Sequence, residues 1–425
     1  NTIRRYETTV LRNLNVNFFS FLAHGIMSQI GFRLVNAPTF VPAYLLVLSG
    51  GSNLLVGLAL FFQGLGQAVT PLWGASLISN RKTVVPIAIK IGFIMRINIL
   101  FIGLAGLYLP NQITLAFVIC LLGLFGLAEG VQGVVFNYLT SKILPVGRRG
   151  SLMGLRNFVG GLSASMFAFF VGDYLVGNQD QLEGYSYSFI IAFFISVFGL
   201  FALGLIREPV PPEIGKKQSF SRQLKVIKSL LRKDADFRFF FWARAVATLG
   251  KMTLPFYVLY AGQEVGFSGY FLGALTFVFT LSNTFSNLVW GAIADFRGFR
   301  VVFLSSIILW ILSTSVYFFS VSFVSSIVVF SLVGASISGF ESSSRAIVLE
   351  FGTLKERPNL IATSNTAAQL AGALGPLFGG SVASWLGYQA VFYVGICFLV
   401  MAALMVIIFV SEPRKRFDDL QTRVR

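Results

Sequence analysis

The chain has 425 residues, of which 55% are hydrophobic and only 12% are charged, and its mean hydropathy is +0.77. Soluble globular proteins average about 25% charged residues, so this composition excludes a water-soluble domain and predicts a protein that lies in a lipid bilayer. The net charge is +16. Such a balance can indicate nucleic-acid binding, but Lys and Arg also accumulate in the cytoplasmic loops of membrane proteins. The positions of the basic residues favour the second interpretation and predict no nucleic-acid partner.

Apolar segments of about 20 residues, the length that crosses the hydrocarbon core of a bilayer, recur along almost the whole sequence. They predict an all-α membrane protein with twelve transmembrane helices, called spans 1 to 12 below. No stretch between them is long enough for a separate soluble domain. The predicted spans cover residues 17–48, 53–78, 83–109, 112–138, 149–177, 184–206, 238–263, 267–292, 300–320, 323–350, 358–385 and 388–411.

Basic residues lie at alternate connections between these spans. Arg81 follows span 2, Arg149 follows span 4 and Arg297 precedes span 9, whereas the opposite loops at 50–53 and 178–184 contain neither Lys nor Arg. Loops rich in Lys and Arg stay on the cytoplasmic side. We therefore predict an integral protein of the bacterial inner membrane with both termini in the cytoplasm.

One long polar segment, residues 207–237, separates six spans from six spans. The sequence therefore predicts an N-terminal six-helix bundle at 1–206, a cytoplasmic linker at 207–237, a C-terminal six-helix bundle at 238–411 and a cytoplasmic tail at 412–425. Apolar residues in the linker recur at helical spacing opposite a basic face. This pattern indicates an amphipathic helix that either lies on anionic lipid or is simply solvated. Its apolar face consists of Phe220, Leu224, Ile227 and Leu231.

The two halves carry repeated patterns. The turn after span 4 reads Arg-Gly-Ser-Leu-Met-Gly from Arg149, and the turn after span 10 reads Arg-Pro-Asn-Leu-Ile-Ala from Arg357. A Trp-Gly pair closes span 2 at 73–74 and span 8 at 290–291. Parallel repeats of this kind belong to transporters whose halves rock about a site near the bilayer midplane. We therefore predict two pseudo-symmetric bundles in a monomer.

The connection between spans 8 and 9 combines a glycine, an aspartate and a basic-Gly-basic cluster, namely Gly291, Asp295, Arg297, Gly298 and Arg300. This pattern resembles the signature loop of the major facilitator superfamily. The resemblance implies the twelve-helix fold of that superfamily, secondary transport by alternating access, and a conformational latch built from this loop. The corresponding loop of the first half departs from the pattern, because Ile78 stands four residues after Gly74 where the aspartate is expected.

Span 11 carries a Gly-Pro-x-x-Gly-Gly element. It is similar to an element that exporters of the superfamily place in span 5, whereas span 5 here has two adjacent glycines and no proline. Small residues allow helices to pack closely and a proline can form a hinge. The element therefore either bears on transport direction or only packs helices. Its residues are Gly375, Pro376, Gly379 and Gly380.

Ionisable residues inside apolar spans are energetically costly, which makes them candidate functional groups. The resemblance implies that spans 1, 4, 7 and 10 line the central cavity. Apart from the first and last residues of these spans, their charges are four cations and two carboxylates, namely Arg33, Arg244, Lys251, Arg345, Glu129 and Glu341. Arginine suits carboxylate and phosphate groups, so this excess of positive charge predicts a small anionic or zwitterionic substrate. The predicted substrate-binding residues are Arg33, Asn36, Gln132, Lys251, Glu341 and Arg345.

Some of these groups also have structural interpretations. Glu129 either carries a coupling proton, because burial favours the neutral form of a carboxylate, or only neutralises a cation on another span. Glu341 and Arg345 are four residues apart and could pair with each other. Arg244 could extend to the cytoplasmic surface, and His24 is predicted to be a packed or hydrogen-bonded residue.

Three functions are compatible with the sequence. The first is transport of a small organic anion or zwitterion, coupled to a proton or other ion or facilitated. The second is export or flipping of amphipathic compounds or drugs, and the third is a membrane scaffold or sensor that transports nothing. Enzymatic activity is not predicted, because a single histidine excludes a His-rich metal site and there is no Walker-type phosphate loop. The expected partners are a small molecule, an ion and membrane lipids, without metal or cofactor.

Overall fold

The computed structural model describes residues 2–78, 81–177, 181–210, 229, 231–232, 234–351 and 357–410. Within these ranges all regular secondary structure is helical. Contacts divide the chain into two compact units. The first unit comprises Asn1–Gln218 and Phe267–Thr280, and the second comprises Ser219–Gly266 and Leu281–Arg425.

The first unit contains spans 1 to 6. Span 1 consists of two helices that meet at Pro38, because a proline lacks the amide donor and disfavours helix in the residue before it. Span 2 is also divided in two, and span 5 ends in a turn of π-helix at Gly172–Val176. The helices are α1 (Thr2–Arg12), α2 (Leu14–Asn36), α3 (Phe40–Leu48), α4 (Asn53–Val69), α5 (Pro71–Ile78), α6 (Val85–Tyr108), α7 (Asn111–Ile143), α8 (Val146–Val171) and α9 (Gln181–Gly204).

The second unit contains spans 7 to 12, except that the first part of span 8 belongs to the first unit. Span 7 is interrupted by a 3-10 turn at Gly250–Thr253, and a second 3-10 turn at Ile347–Glu350 extends span 10. The helices are α10 (Ala235–Leu249), α11 (Leu254–Val265), α12 (Gly269–Arg297), α13 (Phe299–Val316), α14 (Phe323–Ala346), α15 (Arg357–Leu386) and α16 (Tyr388–Phe409).

Each of the twelve predicted spans corresponds to helix in the structure, which confirms the predicted fold class. Among the described residues, nine helical segments are long and apolar enough to cross a membrane by themselves. Spans 2 and 7 are composed of shorter helices, since they are divided at Thr70 and at Gly250–Thr253. The helix of span 11 is 30 residues long but is not among the nine, because its sequence is less apolar. The protein is therefore a multi-pass membrane protein whose helices are not all continuous.

Spans 2 and 4 cross in close backbone contact at glycines. A Cβ atom added to Gly126 would collide with the carbonyl oxygen of Gln63, and one added to Gly66 would lie 2.6 Å from the backbone nitrogen of Leu127. Small residues at such crossings allow the helix axes to approach. This packing brings Gln63 of span 2 beside the charged positions of spans 1 and 4.

Glu208 joins the end of span 6 to spans 3 and 4. Its carboxylate accepts hydrogen bonds from the backbone nitrogens of Val84 at 2.8 Å and Val85 at 2.9 Å, and it forms an ion pair with Lys142. The first amides of α6 have no partner within the helix, and an anion there also meets the positive end of the helix dipole. Both side chains of the ion pair are almost fully buried, so this contact fixes three spans at one end of the unit.

Two arginines cap the carboxyl ends of helices in an equivalent way. Arg149 donates from Nη2 to the carbonyl oxygen of Ser141 at 2.6 Å and from Nε to that of Leu144 at 3.1 Å. Arg300 donates from Nη2 to the carbonyl oxygens of Val406 and Ile407, both at 3.3 Å. A cation at the last turn of a helix compensates carbonyl groups that lack a helical partner.

The predicted linker helix and tail fall mostly outside the described residues. Of the linker positions from 211 to 233, the structure describes only 229, 231 and 232, and the tail at 412–425 is not described. The division at 206, 238 and 411 stays a prediction.

Gly298 separates α12 from α13 with a φ of 87°, a conformation that side chains disfavour. We expect Gly298→Ala to lower the free energy of unfolding by about 1–2 kcal/mol, measured by thermal and denaturant unfolding in detergent. Gly291→Ala is the matched control, since Gly291 is helical and an added Cβ would have no neighbour within 4 Å. Equal stability of the two variants would contradict the expectation.

Candidate functional site

A cavity of about 300 Å³ lies within the first unit, among spans 1, 3, 4 and 5. Three phenylalanines and a methionine form its apolar wall, and two arginines and one carboxylate provide its charges. Its lining residues are Phe21, His24, Ser28, Gln29, Phe32, Arg33, Asn36, Met95, Glu129, Gln132, Gly133, Phe136 and Arg156. An apolar pocket with a few convergent polar groups is the usual form of a small-molecule site.

Glu129 is the carboxylate that lines this cavity. Its Oε1 accepts a hydrogen bond from Asn36 Nδ2 at 3.0 Å, and Asn36 Oδ1 accepts one from Gln63 Nε2 at 3.3 Å. Glu129 Oε2 is buried without a hydrogen-bond partner. The carboxyl group is therefore held in place through one oxygen, while the other has no hydrogen-bond partner among the described residues.

Arg33 of span 1 and Arg156 of span 5 are the cations that line the cavity. In both side chains Nε is buried and has no hydrogen-bond partner. The described part of the chain places no carboxylate in an ion pair with either of them. Glu129, which could have neutralised Arg33, hydrogen bonds to Asn36 instead.

Arg156 reaches the cavity across a glycine of span 1. A Cβ atom added to Gly25 would lie 2.5 Å from both Cδ and Nε of Arg156. In the opposite direction, Gln29 of span 1 donates from Nε2 to the carbonyl oxygen of Arg156 at 3.0 Å, and its side chain occupies the space above Gly160 of span 5. A long side chain of span 5 thus packs over a glycine of span 1, and a long side chain of span 1 packs over a glycine of span 5.

Arg96 of span 3 lies behind the cavity wall, and its side chain is only 1% exposed. It donates to the carbonyl oxygens of Gly92 at 2.6 Å and Ser196 at 2.7 Å, and to Ser28 Oγ at 2.7 Å. Its guanidinium carbon also lies 4.9 Å from the ring centroid of Phe32. All these partners are uncharged, so Arg96 adds a third positive charge to this part of the first unit.

His24 is linked to Arg96 through Ser28. Its Nδ1 lies 2.9 Å from the carbonyl oxygen of Gly199, and its Nε2 lies 3.4 Å from Ser28 Oγ. The imidazole also packs 4.9 Å from the ring of Phe136. His24 is therefore a packed and hydrogen-bonded residue, as predicted.

In the second unit, the charged residues of the predicted site form ion pairs with each other. Lys251 Nζ donates to Glu341 Oε1 at 2.8 Å, and Arg345 Nη2 donates to Glu341 Oε2 at 2.9 Å. Both oxygens of one carboxylate are thus occupied by cations. The predicted pairing of Glu341 with Arg345 is present, and Lys251, which is 90 residues away from Glu341, joins the same cluster.

Arg244 does not extend to the surface as the sequence suggested. Its side chain is 7% exposed and is bound by span 11, since Nη1 donates to Ser364 Oγ at 2.6 Å and Nη2 donates to Asn365 Oδ1 at 2.9 Å. The prediction was wrong because polar side chains of span 11, which hydropathy alone does not orient, satisfy this guanidinium inside the unit.

The predicted site residues fall into two groups, which are Arg33, Asn36, Glu129 and Gln132 at the cavity of the first unit, and Lys251, Glu341 and Arg345 in the cluster of the second. Sequence reasoning missed Arg156, Gln29 and the phenylalanines of the wall. Arg156 could have been found, because it is a cation within an apolar span. The resemblance implies a cavity lined by spans 1, 4, 7 and 10, whereas Arg156 lies on span 5.

The predicted latch residues lie at the junction of α12 and α13. Asp295, Arg297 and Gly291 are exposed, and Gly298 and Arg300 have the turn and capping contacts described above. A Cβ atom at Gly291 would meet no neighbour. Among the described residues, no neighbouring helix therefore packs closely against Gly291.

The Gly-Pro-x-x-Gly-Gly element packs span 11 against span 7. A Cβ atom at Gly379 would lie 2.7 Å from Cε2 of Phe256, and one at Gly375 would lie 3.3 Å from the backbone nitrogen of Met252. Gly380 is buried, and α15 continues through Pro376 without a break. These contacts show that the element packs span 11 against span 7. The helix is not interrupted at Pro376, the predicted hinge.

The arrangement of spans and the signature loop agree with comparisons at the level of sequence. A profile of the major facilitator superfamily matches residues 15–258 and 240–423. The chain belongs to the major facilitator superfamily. No curated protein matches it in sequence.

Solved structures share the fold. A variant of the nucleoside transporter NupG aligns with a TM-score of 0.74 at 13% identity, covering 94% of this chain and 100% of that one. The D-xylose-proton symporter has a TM-score of 0.70 at 14% identity, with 94% and 98% covered. The human organic anion transporter MFSD10 (TETRAN) has a TM-score of 0.63 at 14% identity, with 92% and 99% covered. At these identities the likeness establishes the superfamily fold and not the cargo.

Glu341 neutralises two cations, so its replacement by a neutral amide should affect stability. We expect Glu341→Gln to lower the free energy of unfolding by about 1–3 kcal/mol, because Lys251 and Arg345 then lose their charged acceptor. Arg345→Gln is the matched control and should cost less, since it leaves the Lys251–Glu341 pair intact and the Arg345 side chain is 66% exposed. Thermal unfolding in detergent measures both, and a larger loss in Arg345→Gln would refute this ranking.

Proposed function

We propose that this superfamily member is a secondary transporter that moves a small organic anion or zwitterion by alternating access, coupled to protons. We also propose that the protein lies in a bacterial inner membrane and that both of its termini are in the cytoplasm. The rocking elements of the proposed mechanism are the N-terminal bundle at 1–206 and the C-terminal bundle at 238–411, joined by the linker at 207–237.

One observation carries the choice of substrate class. Arg33 and Arg156 line a cavity without an anionic partner among the described residues. In the second unit, by contrast, Lys251 and Arg345 are paired with Glu341, and Arg244 is bound by side chains of span 11. An unneutralised charge at membrane depth is costly, and a ligand carboxylate or phosphate supplies the missing negative charge. Arginine can hold such a group through two parallel hydrogen bonds. Neutral sugars and hydrophobic cations do not meet this requirement.

Glu129 is proposed as the proton carrier. It lines the same cavity, forms no ion pair with a described residue, and has one buried oxygen without a hydrogen-bond partner. A proton on that oxygen removes a negative charge beside the substrate anion. Uptake of the proton and binding of the anion therefore favour each other, which is the physical requirement for coupled movement of both.

We propose that Glu341 neutralises the positive charges of Lys251 and Arg345 within the second bundle. Its two cations occupy both oxygens of Glu341, so a substrate anion can bind there only by competing with that carboxylate.

We expect Arg33→Gln to weaken anion binding by about tenfold or more, since a charge-assisted hydrogen bond is lost. The anion is first identified by thermal stabilisation of the purified protein across organic anions, amino acids, sugars and drugs. Lys90→Gln is the control, because it removes an exposed cation from span 3 that does not line the cavity. Preferential stabilisation by hydrophobic cations, or equal binding by Arg33→Gln, would contradict the proposed substrate class.

The coupling role predicts a different outcome for Glu129→Gln. This variant should bind the anion with nearly the wild-type affinity, but its flux into proteoliposomes should no longer respond to an imposed pH gradient. Counterflow of labelled anion, which needs no net proton movement, provides the control and should persist. A response to the pH gradient equal to that of the wild type would exclude Glu129 as the proton carrier, and absence of flux in the folded wild-type protein would favour a scaffold or sensor.

A further inference from the structure

The charges around the cavity of the first unit do not balance. Arg33 and Arg156 line it, and Arg96 lies directly behind Ser28 and Phe32 of its wall. Glu129 is the carboxylate among the lining residues. Three guanidinium groups against one carboxylate leave an excess of two positive charges in a region of low dielectric.

The uncharged surroundings do not remove this excess. Arg96 has hydrogen-bond acceptors for each of its three nitrogens, all of them neutral. Arg33 and Arg156 have a buried Nε without a partner. Hydrogen bonds to neutral acceptors satisfy donors but leave the charge itself uncompensated, and buried charges of proteins are normally paired.

The position of Arg156 is built into the packing of two helices. Its side chain crosses span 1 over Gly25, where a Cβ would approach its Cδ and Nε to 2.5 Å. The carbonyl oxygen of Arg156 is bound by Gln29, another lining residue. Glycine thus permits a second guanidinium on a span that is not among those implied to line the cavity. Among the described residues, its side-chain hydrogen-bond partner is the uncharged sulfur of Met153, at 3.7 Å from Nη1, and no carboxylate forms an ion pair with it.

We infer that the substrate carries two negative charges, with one anionic group bound by Arg33 and the other by Arg156. This inference rests on the proposed anion transport and narrows it. A dicarboxylate and a phosphate monoester share the required chemistry. The phenylalanines of the wall, Phe21, Phe32 and Phe136, contact the carbon part of such a molecule. Arg156 is then the residue that distinguishes a doubly charged substrate from a singly charged one.

The test compares ligands that differ by one charge. The purified protein in detergent is titrated with succinate, phthalate and phenyl phosphate, each beside its own monomethyl ester, above the second ionisation of each acid. Binding is followed by thermal stabilisation and by equilibrium affinity. For at least one pair, wild-type protein should bind the doubly charged member about tenfold or more tightly than its ester, since a second charge-assisted contact is added.

Three variants test whether Arg156 binds the second anionic group of the ligand. Arg156→Gln should remove the preference for the dianion while leaving affinity for the monoester nearly unchanged, because Arg33 remains. Gly25→Ala should act in the same direction without removing a charge, since it displaces the Arg156 side chain. Arg156→Lys keeps the charge and should retain part of the preference, which keeps the test informative if the Gln variant folds poorly. Lys90→Gln is the control and should behave like the wild type.

The outcomes separate this inference from the function on which it rests. If monoesters bind as tightly as dianions and Arg33→Gln abolishes binding of both, anion transport stands and the doubly charged substrate is excluded. If Arg156→Gln weakens both ligands equally, Arg156 is not the second anchor and the inference fails. If neither dianions nor monoanions bind or are transported by the folded protein, the proposed function fails as well.

Discussion

A guanidinium group in the hydrocarbon region of a membrane needs either a counter-charge or a full set of acceptors, and the site of this protein depends on that constraint. The second bundle meets it internally. Glu341 binds two cations, and Arg244 binds two polar side chains of span 11. The first bundle does not, because Arg33 and Arg156 face a cavity without a carboxylate bound to them. Among the residues that the structure describes, the two halves are therefore chemically unequal, and it is the first bundle whose cavity has positive charge available to a ligand.

Glycine makes this arrangement possible. A charged side chain can lie between two membrane helices only where the neighbouring helix has no side chain in its path. Gly25 of span 1 provides that space for Arg156 of span 5. Within span 3, Gly92 leaves space for Arg96 of the same helix, whose Nη1 lies 3.0 Å from where a Cβ would be. The same absence of a Cβ that allows helices to pack closely in lipid serves here to admit polar groups. The glycine content of these spans reflects both uses.

Much of this structure could be predicted from the sequence, for identifiable reasons. The spans follow from apolar length, and Glu129, Arg33 and Lys251 were recognised because charge in an apolar segment is visible without a structure. The side chains that pair with these charged residues could not be predicted from the sequence in the same way. The ion pair of Lys251 with Glu341 joins residues 90 positions apart, and the burial of Arg244 against Ser364 depends on how each helix is rotated about its axis. Hydropathy sets the length of a helix but not this rotation.

The hydrogen bonds around His24 have a direction that matters for proton movement. The carbonyl oxygen of Gly199 can only accept, so the proton of the neutral imidazole resides on Nδ1. Ser28 Oγ accepts from Arg96, so its own proton points to Nε2 of His24. A second proton on the ring would face the hydroxyl hydrogen and, beyond it, a guanidinium. The single histidine of the chain is thereby satisfied as a neutral imidazole, with Nδ1 donating to the carbonyl oxygen of Gly199 and Nε2 accepting from Ser28.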